Sequence, residues 1–161
     1  MGNNKYKVLV IEDDDYILNL IETLLTMNGY QSLTAQTCDM GHTMFISYNP
    51  DIIILDLGLP DKDGIDFIKN VRQNFTVPIV VLSARTTEQD KIIALDSGAN
   101  DYITKPFGSG ELLARVRAAL RIRRQNIPGA LPKSQFKTGG LTIHYDSRRV
   151  YVCLLYTSRC V

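Results

Sequence analysis

A doubly wound α/β domain is expected from this sequence for two reasons. Five short β-branched runs alternate with five longer amphipathic stretches, and acidic, hydroxyl and basic residues stand where the runs end. Repeated βα units imply a parallel sheet covered by helices on both faces, because parallel strands need crossover connections that are right-handed almost without exception. Sheets of this kind take ligands beyond the carboxyl ends of their strands, at a topological switch point.

The strand-like runs are Lys7 to Ile11, Gln31 to Ala35, Ile52 to Leu55, Ile79 to Leu82 and Asp101 to Ile103. Between the first two, Ile17, Leu20, Ile21, Leu24 and Leu25 recur at helical spacing, and Gly29 follows Asn28 where a left-handed cap belongs. A weaker helix is expected over Cys38 to Tyr48, and stronger ones over Ile65 to Asn74, Glu88 to Ser97 and Gly110 to Arg124.

The 161 residues suffice for one α/β domain with a remainder. A 45% hydrophobic share, a 22% charged share and a formal net charge of +1 show no global bias toward nucleic acid, anionic membrane or acidic substrates. Met1 to Lys7 is polar, unlike a signal peptide, and no run is long enough to span a bilayer, so a cytoplasmic protein without membrane partners is expected. Cys38, Cys153 and Cys160 form no CxxC pair and imply neither a disulfide framework nor a zinc site; Cys38 reads as core filler. His42 and His144 lack paired-ligand spacing and are taken as structural or solvated.

Chemistry concentrates at the strand ends. The first run ends in Glu12, Asp13 and Asp14, the third in Asp56, the fourth in Ser83, and the fifth precedes Lys105 and Pro106. Singly, each has a bland reading. The acidic group could cap and charge a helix start, with Asp14 or Asp15 as N-cap; Asp56 and Ser83 could close polar turns; Lys105 could sit in an extended dipeptide before proline. Together they supply the groups that a magnesium-dependent phosphoryl site requires. Mg2+ takes one or two carboxylates plus phosphate oxygen and keeps several waters. Asp13 and Asp56 could supply these, Glu12 could act directly or through water, and the Gly58 carbonyl is a further candidate ligand. A carboxylate nucleophile, a cation and a hydroxyl suit phosphoryl transfer, which depends on positioning and charge neutralisation.

Val8 to Asp14 (VLVIEDD), Ile53 to Gly64 (IILDLGLPDKDG), Val81 to Ala84 (VLSA) and Gly98 to Phe107 (GANDYITKPF) resemble the motifs of response-regulator receivers, over Tyr6 to about Arg124. Within that family the chain is most similar to winged-helix regulators of the OmpR and PhoB type. Leu82 to Asp90 (LSARTTEQD) and Phe107 to Arg121 (FGSGELLARVRAALR) resemble the Kdp potassium-transport regulators. The resemblance implies a flavodoxin-like five-stranded sheet of order 2-1-3-4-5 and a sensor histidine kinase as phosphoryl donor. It implies Asp56 as acceptor, Glu12 and Asp13 as the metal pair, Ser83 and Lys105 as phosphoryl contacts, and Tyr102 as a switch aromatic. Such a protein is a regulatory phosphoacceptor rather than an enzyme, with at most self-phosphorylation and self-dephosphorylation.

The resemblance further implies that phosphorylation favours a homodimer through the fourth helix, fifth strand and fifth helix. Lys91, Asp96, Asp101, Glu111, Arg115 and Arg117 carry suitable charges, although Glu111 and Arg115, four apart, could pair within one helix. Family patterns often carry Asp where this chain has Asn100, so a weaker dimer is expected. Residues 1–125 are thus expected to be the receiver. Asn126 to Gly140 has linker composition, and Leu141 to Val152 reads as a β-hairpin turning at Asp146 to Arg148. That hairpin is similar to the sheet that opens the winged-helix domain. Residues 153–161 do not continue the family pattern and read as a tail of doubtful origin. DNA binding is expected only through a recognition helix in the full-length protein.

A receiver working by protein contact alone would lack DNA output, and the hairpin argues mildly against it. An aspartyl-phosphate hydrolase would resemble a DxDx[TV] pattern, but Gly58 occupies the place of its second Asp. Asp61 to Gly64 (DKDG) hints at a calcium loop, yet Leu59 and Arg72 stand where carboxylates would be needed, so it reads as a turn.

Overall fold

A computed structural model describes residues 6–125, 135–138, 141–144, 153–154 and 159–160. The chain divides into two units, broken after Leu120. In the first, strands β1 (Lys7–Ile11), β2 (Gln31–Ala35), β3 (Ile52–Leu55), β4 (Ile79–Ser83) and β5 (Asp101–Thr104) form a parallel sheet of order β2-β1-β3-β4-β5. They alternate with α1 (Asp15–Met27), α2 (Cys38–Tyr48), α3 (Gly64–Arg72), α4 (Glu88–Ser97) and α5 (Ser109–Gln125), whose residues after Leu120 fall in the second unit. The flavodoxin-like order implied by the sequence motifs is the order found.

Period-two alternation divides each central strand between two cores. Leu9, Ile11, Ile53, Leu55, Ile79 and Val81 pack with Phe45, Phe67, Ile68 and Val71 from α2 and α3 and with Ala94 from α4. Val8, Val10, Ile52, Ile54, Val80, Leu82 and Ile103 pack on the other face with Leu18, Ile21 and Leu25 of α1 and Leu112, Val116, Ala119 and Leu120 of α5. Strands buried on both faces read as unbroken apolar runs, and Ile52–Leu55 is such a run.

The helix ends follow local chemistry. Asp14 is the N-cap of α1, its side chain accepting from the Ile17 N–H at 3.0 Å, so the bland reading holds for this member of the acidic group. At the other end Gly29 takes φ 83°, its N–H donates to the Thr26 carbonyl, and the Tyr30 N–H donates to that of Leu25, a Schellman closure. On α1 the buried residues are Leu18, Ile21 and Leu25, whereas Leu20, assigned to the apolar stripe, is exposed. Helix α4 departs further from an amphipathic pattern: only Ala94 is buried, and Ile92, Ile93 and Leu95 are exposed.

In the second unit, β6 (Gln135–Thr138) pairs antiparallel with β7 (Leu141–His144), and β8 (Cys153–Leu154) with β9 (Arg159–Cys160). The strand at 135–138 lies inside the segment read as linker. It pairs with the first half of the expected hairpin, and the second half of that hairpin, 145–152, lies outside the described residues. Gly139-Gly140 between two short strand-like runs is itself a two-residue hairpin signal. Among the described residues, no helix is long and apolar enough to cross a membrane.

Gly64 opens α3 against the strand end that carries Asp56. A Cβ there would lie 2.7 Å from the Asp56 carbonyl oxygen and 2.8 Å from Leu57 Cα, both backbone atoms that cannot rotate away. Gly64→Ala is expected to lower unfolding free energy by about 1–3 kcal/mol, read from the urea midpoint.

Candidate functional site

The backbone register brings the polar strand ends to one edge of the sheet. The Glu12 N–H donates to the Ala35 carbonyl and the Asp56 N–H to that of Ile11, so Glu12, Asp13 and Asp56 follow directly on adjacent strands. Leu55 lies opposite Val81, which puts Asp56 one residue and Ser83 two residues past that paired position. Ser83 lies opposite Thr104, and the Lys105 N–H donates to the Ser83 carbonyl at 2.9 Å.

Carboxylate oxygens of Glu12, Asp13 and Asp56 lie within 4.8 Å of one another. Glu12 and Asp56 are buried, at 2% and 7% exposure, while Asp13 is open to solvent. Lys105 Nζ is 2.7 Å from Glu12 Oε2 and 3.5 Å from Asp56 Oδ2. One ammonium thus faces two buried carboxylates, and Asp13 brings a third negative charge close by. The remaining Glu12 oxygen accepts from the Asp14 N–H at 3.1 Å, and Asp56 Oδ1 accepts from the Gly58 N–H at 3.3 Å. Burial pushes the Glu12 carboxyl above its ordinary pKa against the lowering contact of Lys105, with the Asp56 charge adding to the rise. Burial opposes the charge on Lys105, yet its contacts with Glu12 and Asp56 outweigh this and raise its pKa.

Ser83 is buried, and its Oγ accepts from the Arg85 N–H at 3.2 Å. The half-buried Tyr102 ring packs against the core cluster that contains Ala94, and its hydroxyl donates to the Arg85 carbonyl at 2.7 Å. Arg85 also reaches Asp63 with its guanidinium at 3.2 Å. Its three contacts were not legible in the sequence, since two use main-chain atoms and the third joins residues 22 positions apart. Asp63 was more accessible to sequence reasoning: an Asp before an apolar helical run is an N-cap signal, and its carboxylate accepts from the Ile65 N–H.

Of the charges assigned to a dimer face, Asp101, Glu111 and Arg115 meet within the chain. Arg115 Nη1 lies 2.9 Å from Asp101 Oδ2, and Nη2 lies 3.4 Å from Glu111 Oε1. Lys91, Asp96 and Arg117 make no ion pair among the described residues. Asn100 is also used internally, its Oδ1 accepting from the Ile79 N–H and from Arg72 Nη2, each at 2.9 Å. Cys38 is buried with its thiol pKa pushed up to about 12 by burial, which agrees with core filler rather than a nucleophile.

The family model for the response regulator receiver domain matches residues 8–117. The chain belongs to the response regulator receiver family. It is 45% identical over 143 residues to the transcriptional regulatory protein KdpE of Mycobacterium tuberculosis, covering 89% of this chain and 62% of that protein. It is 53% identical over 114 residues to the KDP operon transcriptional regulatory protein KdpE of Escherichia coli, covering 71% and 51%. The chain therefore spans between about half and two thirds of the length of these relatives. Among solved structures, the receiver domain of the Francisella response regulator 1452 superposes with a TM-score of 0.71 at 36% identity, over 73% of this chain and 98% of that one. The BeF3-activated N-terminal receiver domain of Klebsiella pneumoniae RstA gives 0.69 at 32%, over 71% and 98%. The two KdpE proteins are named as transcriptional regulators, and receivers of this family hold Mg2+ in an acidic pocket, which the Glu12, Asp13 and Asp56 cluster matches.

Two outcomes follow from these charges. Lys105→Ala leaves Glu12 and Asp56 without their cation and is expected to cost roughly 2 kcal/mol near neutral pH. A group whose folded pKa is raised contributes stability at low pH that is lost as pH rises through that value. Without Lys105 the Glu12 carboxyl rises further, so urea unfolding of the variant should show part of the loss recovered on acidification. Asn100→Asp gives the half-buried Arg72, whose pKa burial lowers, a counter-charge at an oxygen that already accepts two hydrogen bonds. It is expected to stabilise by about 1 kcal/mol, seen as a rise in Tm of several degrees.

Proposed function

We propose that this receiver takes a phosphoryl group on Asp56 from a phosphohistidine of a sensor histidine kinase. A carboxylate oxygen of Asp56 attacks phosphorus, the P–N bond breaks, and the imidazole nitrogen leaves with the electron pair and is then protonated. Glu12, Asp13 and Asp56, with the Gly58 carbonyl, would hold Mg2+, which when bound supplies charge neutralisation to the transferring oxygens. Lys105 offers its ammonium to one phosphoryl oxygen, exchanging part of its contact with Asp56 for the new anion. Ser83 already accepts from the Arg85 N–H, so its hydroxyl proton is free to be donated to another.

The observation that carries the reading is Lys105 Nζ set between Glu12 and Asp56 at the mouth of a three-carboxylate cluster. An ordinary structural ion pair needs one carboxylate; gathering three within 4.8 Å of one another, with one ammonium in contact with only two of them, is costly unless a further cation joins them. Tyr102 would report the phosphoryl group through the Ser83–Arg85 loop, to which its hydroxyl is already tied.

The relatives support a reading of the output. In a full-length, cytoplasmic protein the phosphorylated receiver would form a homodimer through α4, β5 and α5 and control transcription through a winged-helix domain. The exposed Ile92 and Leu95, three apart on α4, supply an apolar pair on one face, with Lys91, Asp96 and Arg117 available for charge pairing beside it. Arg115 would have to share Asp101 and Glu111 with the partner copy. Resemblance to the KdpE proteins supports potassium-transport genes as the target.

The test is intact mass after incubation with acetyl phosphate and Mg2+. A gain of one phosphoryl group is expected in the wild type and none in Asp56→Asn or after chelation. A wild-type protein that gains no mass under any condition would overturn the reading.

A further inference from the structure

The Asp61 to Gly64 stretch is not used by the chemistry above, yet it makes a specific long-range contact. The Asp61 carboxylate accepts from two main-chain donors at the start of α2: the Cys38 N–H at 2.9 Å and the Asp39 N–H at 3.0 Å. The Met40 N–H is taken by Thr37 Oγ1 at 3.1 Å. The first three N–H groups of α2 have no partner within the helix, so Asp61 and Thr37 divide them, one from afar and one locally. Although desolvation opposes it, hydrogen bonds from Cys38 and Asp39, with those from its own and the Lys62 N–H, hold the Asp61 carboxyl below its ordinary pKa.

Two weaker contacts join the same segments. Lys62 Nζ lies 2.6 Å from Asp39 Oδ1, a largely exposed pair of little net worth, and the Cys38 thiol donates to the Lys62 carbonyl at 3.6 Å. The charge-assisted bonds to Asp61 are therefore the stronger tie.

Asp61 stands at the tip of the loop whose base carries the acceptor. The base is closed by the Gly64 N–H donating to the Leu57 carbonyl and by a bridge between Gly58 and Asp63. Leu57 and Leu59 are buried, and the Gly58 N–H is the group that touches Asp56 Oδ1. A loop clamped at its base and at its tip has its path fixed between them.

We propose that Asp61 is a positioning residue for phosphoryl acceptance: by capping α2 from the loop that follows Asp56, it fixes the path of Leu57 to Asp63 and the Gly58 amide within it. This rests on the reading of Asp56 as acceptor. Thr37 supplies the control, because it caps the same helix from outside the loop.

The experiment compares Asp61→Ala, Asp61→Asn and Thr37→Ala with the wild type in the full chain, well below each melting temperature. Acetyl phosphate and Mg2+ are the reagents, and intact mass is followed in time. Asp61→Ala is expected to slow acceptance about tenfold, as misplacement of a reacting group does. Asp61→Asn, which keeps one acceptor oxygen, should fall between, and Thr37→Ala should lower Tm with its rate within about twofold of the wild type. Hydrogen exchange should quicken at Leu57 to Asp63 in both Asp61 variants, but only at the start of α2 in Thr37→Ala.

A wild-type rate in Asp61→Ala, or equal slowing in Thr37→Ala, would overturn the proposal. If Asp61→Ala does not fold, Asp61→Asn decides it: slowing with faster loop exchange supports the proposal, and wild-type values for both overturn it. A wild type that never takes a phosphoryl group sinks the Asp56 reading and this proposal together. A phosphorylated wild type with unaffected Asp61 variants sinks only the latter.

Discussion

Charge compensation at the carboxyl edge of the sheet is the constraint on which the rest of this structure depends. Glu12 and Asp56 are removed from water on neighbouring strands, and the ammonium of Lys105 reaches both from the end of β5. Holding that geometry requires strands that cannot slip. The two-sided core provides this, because a one-residue shift of β1 or β3 would exchange the side chains facing the two helix layers. The apolar runs and the polar site are thus parts of one arrangement.

Around that edge the connecting loops are tied rather than left free. The loop after β3 is fastened to α2 through Asp61 and to the loop after β4 through Asp63 and Arg85. The loop after β4 is in turn fastened to β5 through the Tyr102 hydroxyl. Individually the exposed ion pairs are weak, so the order of these loops rests mainly on hydrogen bonds to main-chain atoms.

The sequence disclosed most of the framework, for physical reasons that differ by element. Strands buried on both faces must be apolar throughout, so Ile52–Leu55 could be recognised, and the charged residue that ends such a run stands out as Asp56 does. The same logic located Glu12, Asp13, Ser83 and Lys105. Contacts set by tertiary placement were hidden. Asp61 meets Cys38 across 23 positions, and nothing local distinguishes it from a turn residue. Asn100 stands out in the sequence only for its place at a dimer contact, and the bonds its oxygen accepts from the Ile79 N–H and from Arg72 had no local signal. Arg115 satisfies the local pairing with Glu111 and the longer one with Asp101 together. The strand at 135–138 was masked by linker-like composition around it, although Gly139-Gly140 carried the turn signal.

The way Arg85 is held has an evolutionary corollary. Its N–H engages Ser83 and its carbonyl engages Tyr102, and every residue other than proline carries both groups. The link between the hydroxyl at the site and the aromatic on β5 is therefore indifferent to which side chain stands at position 85. That side chain can drift among descendants, acquiring or losing its grip on Asp63, while the main-chain connection beneath it is inherited intact.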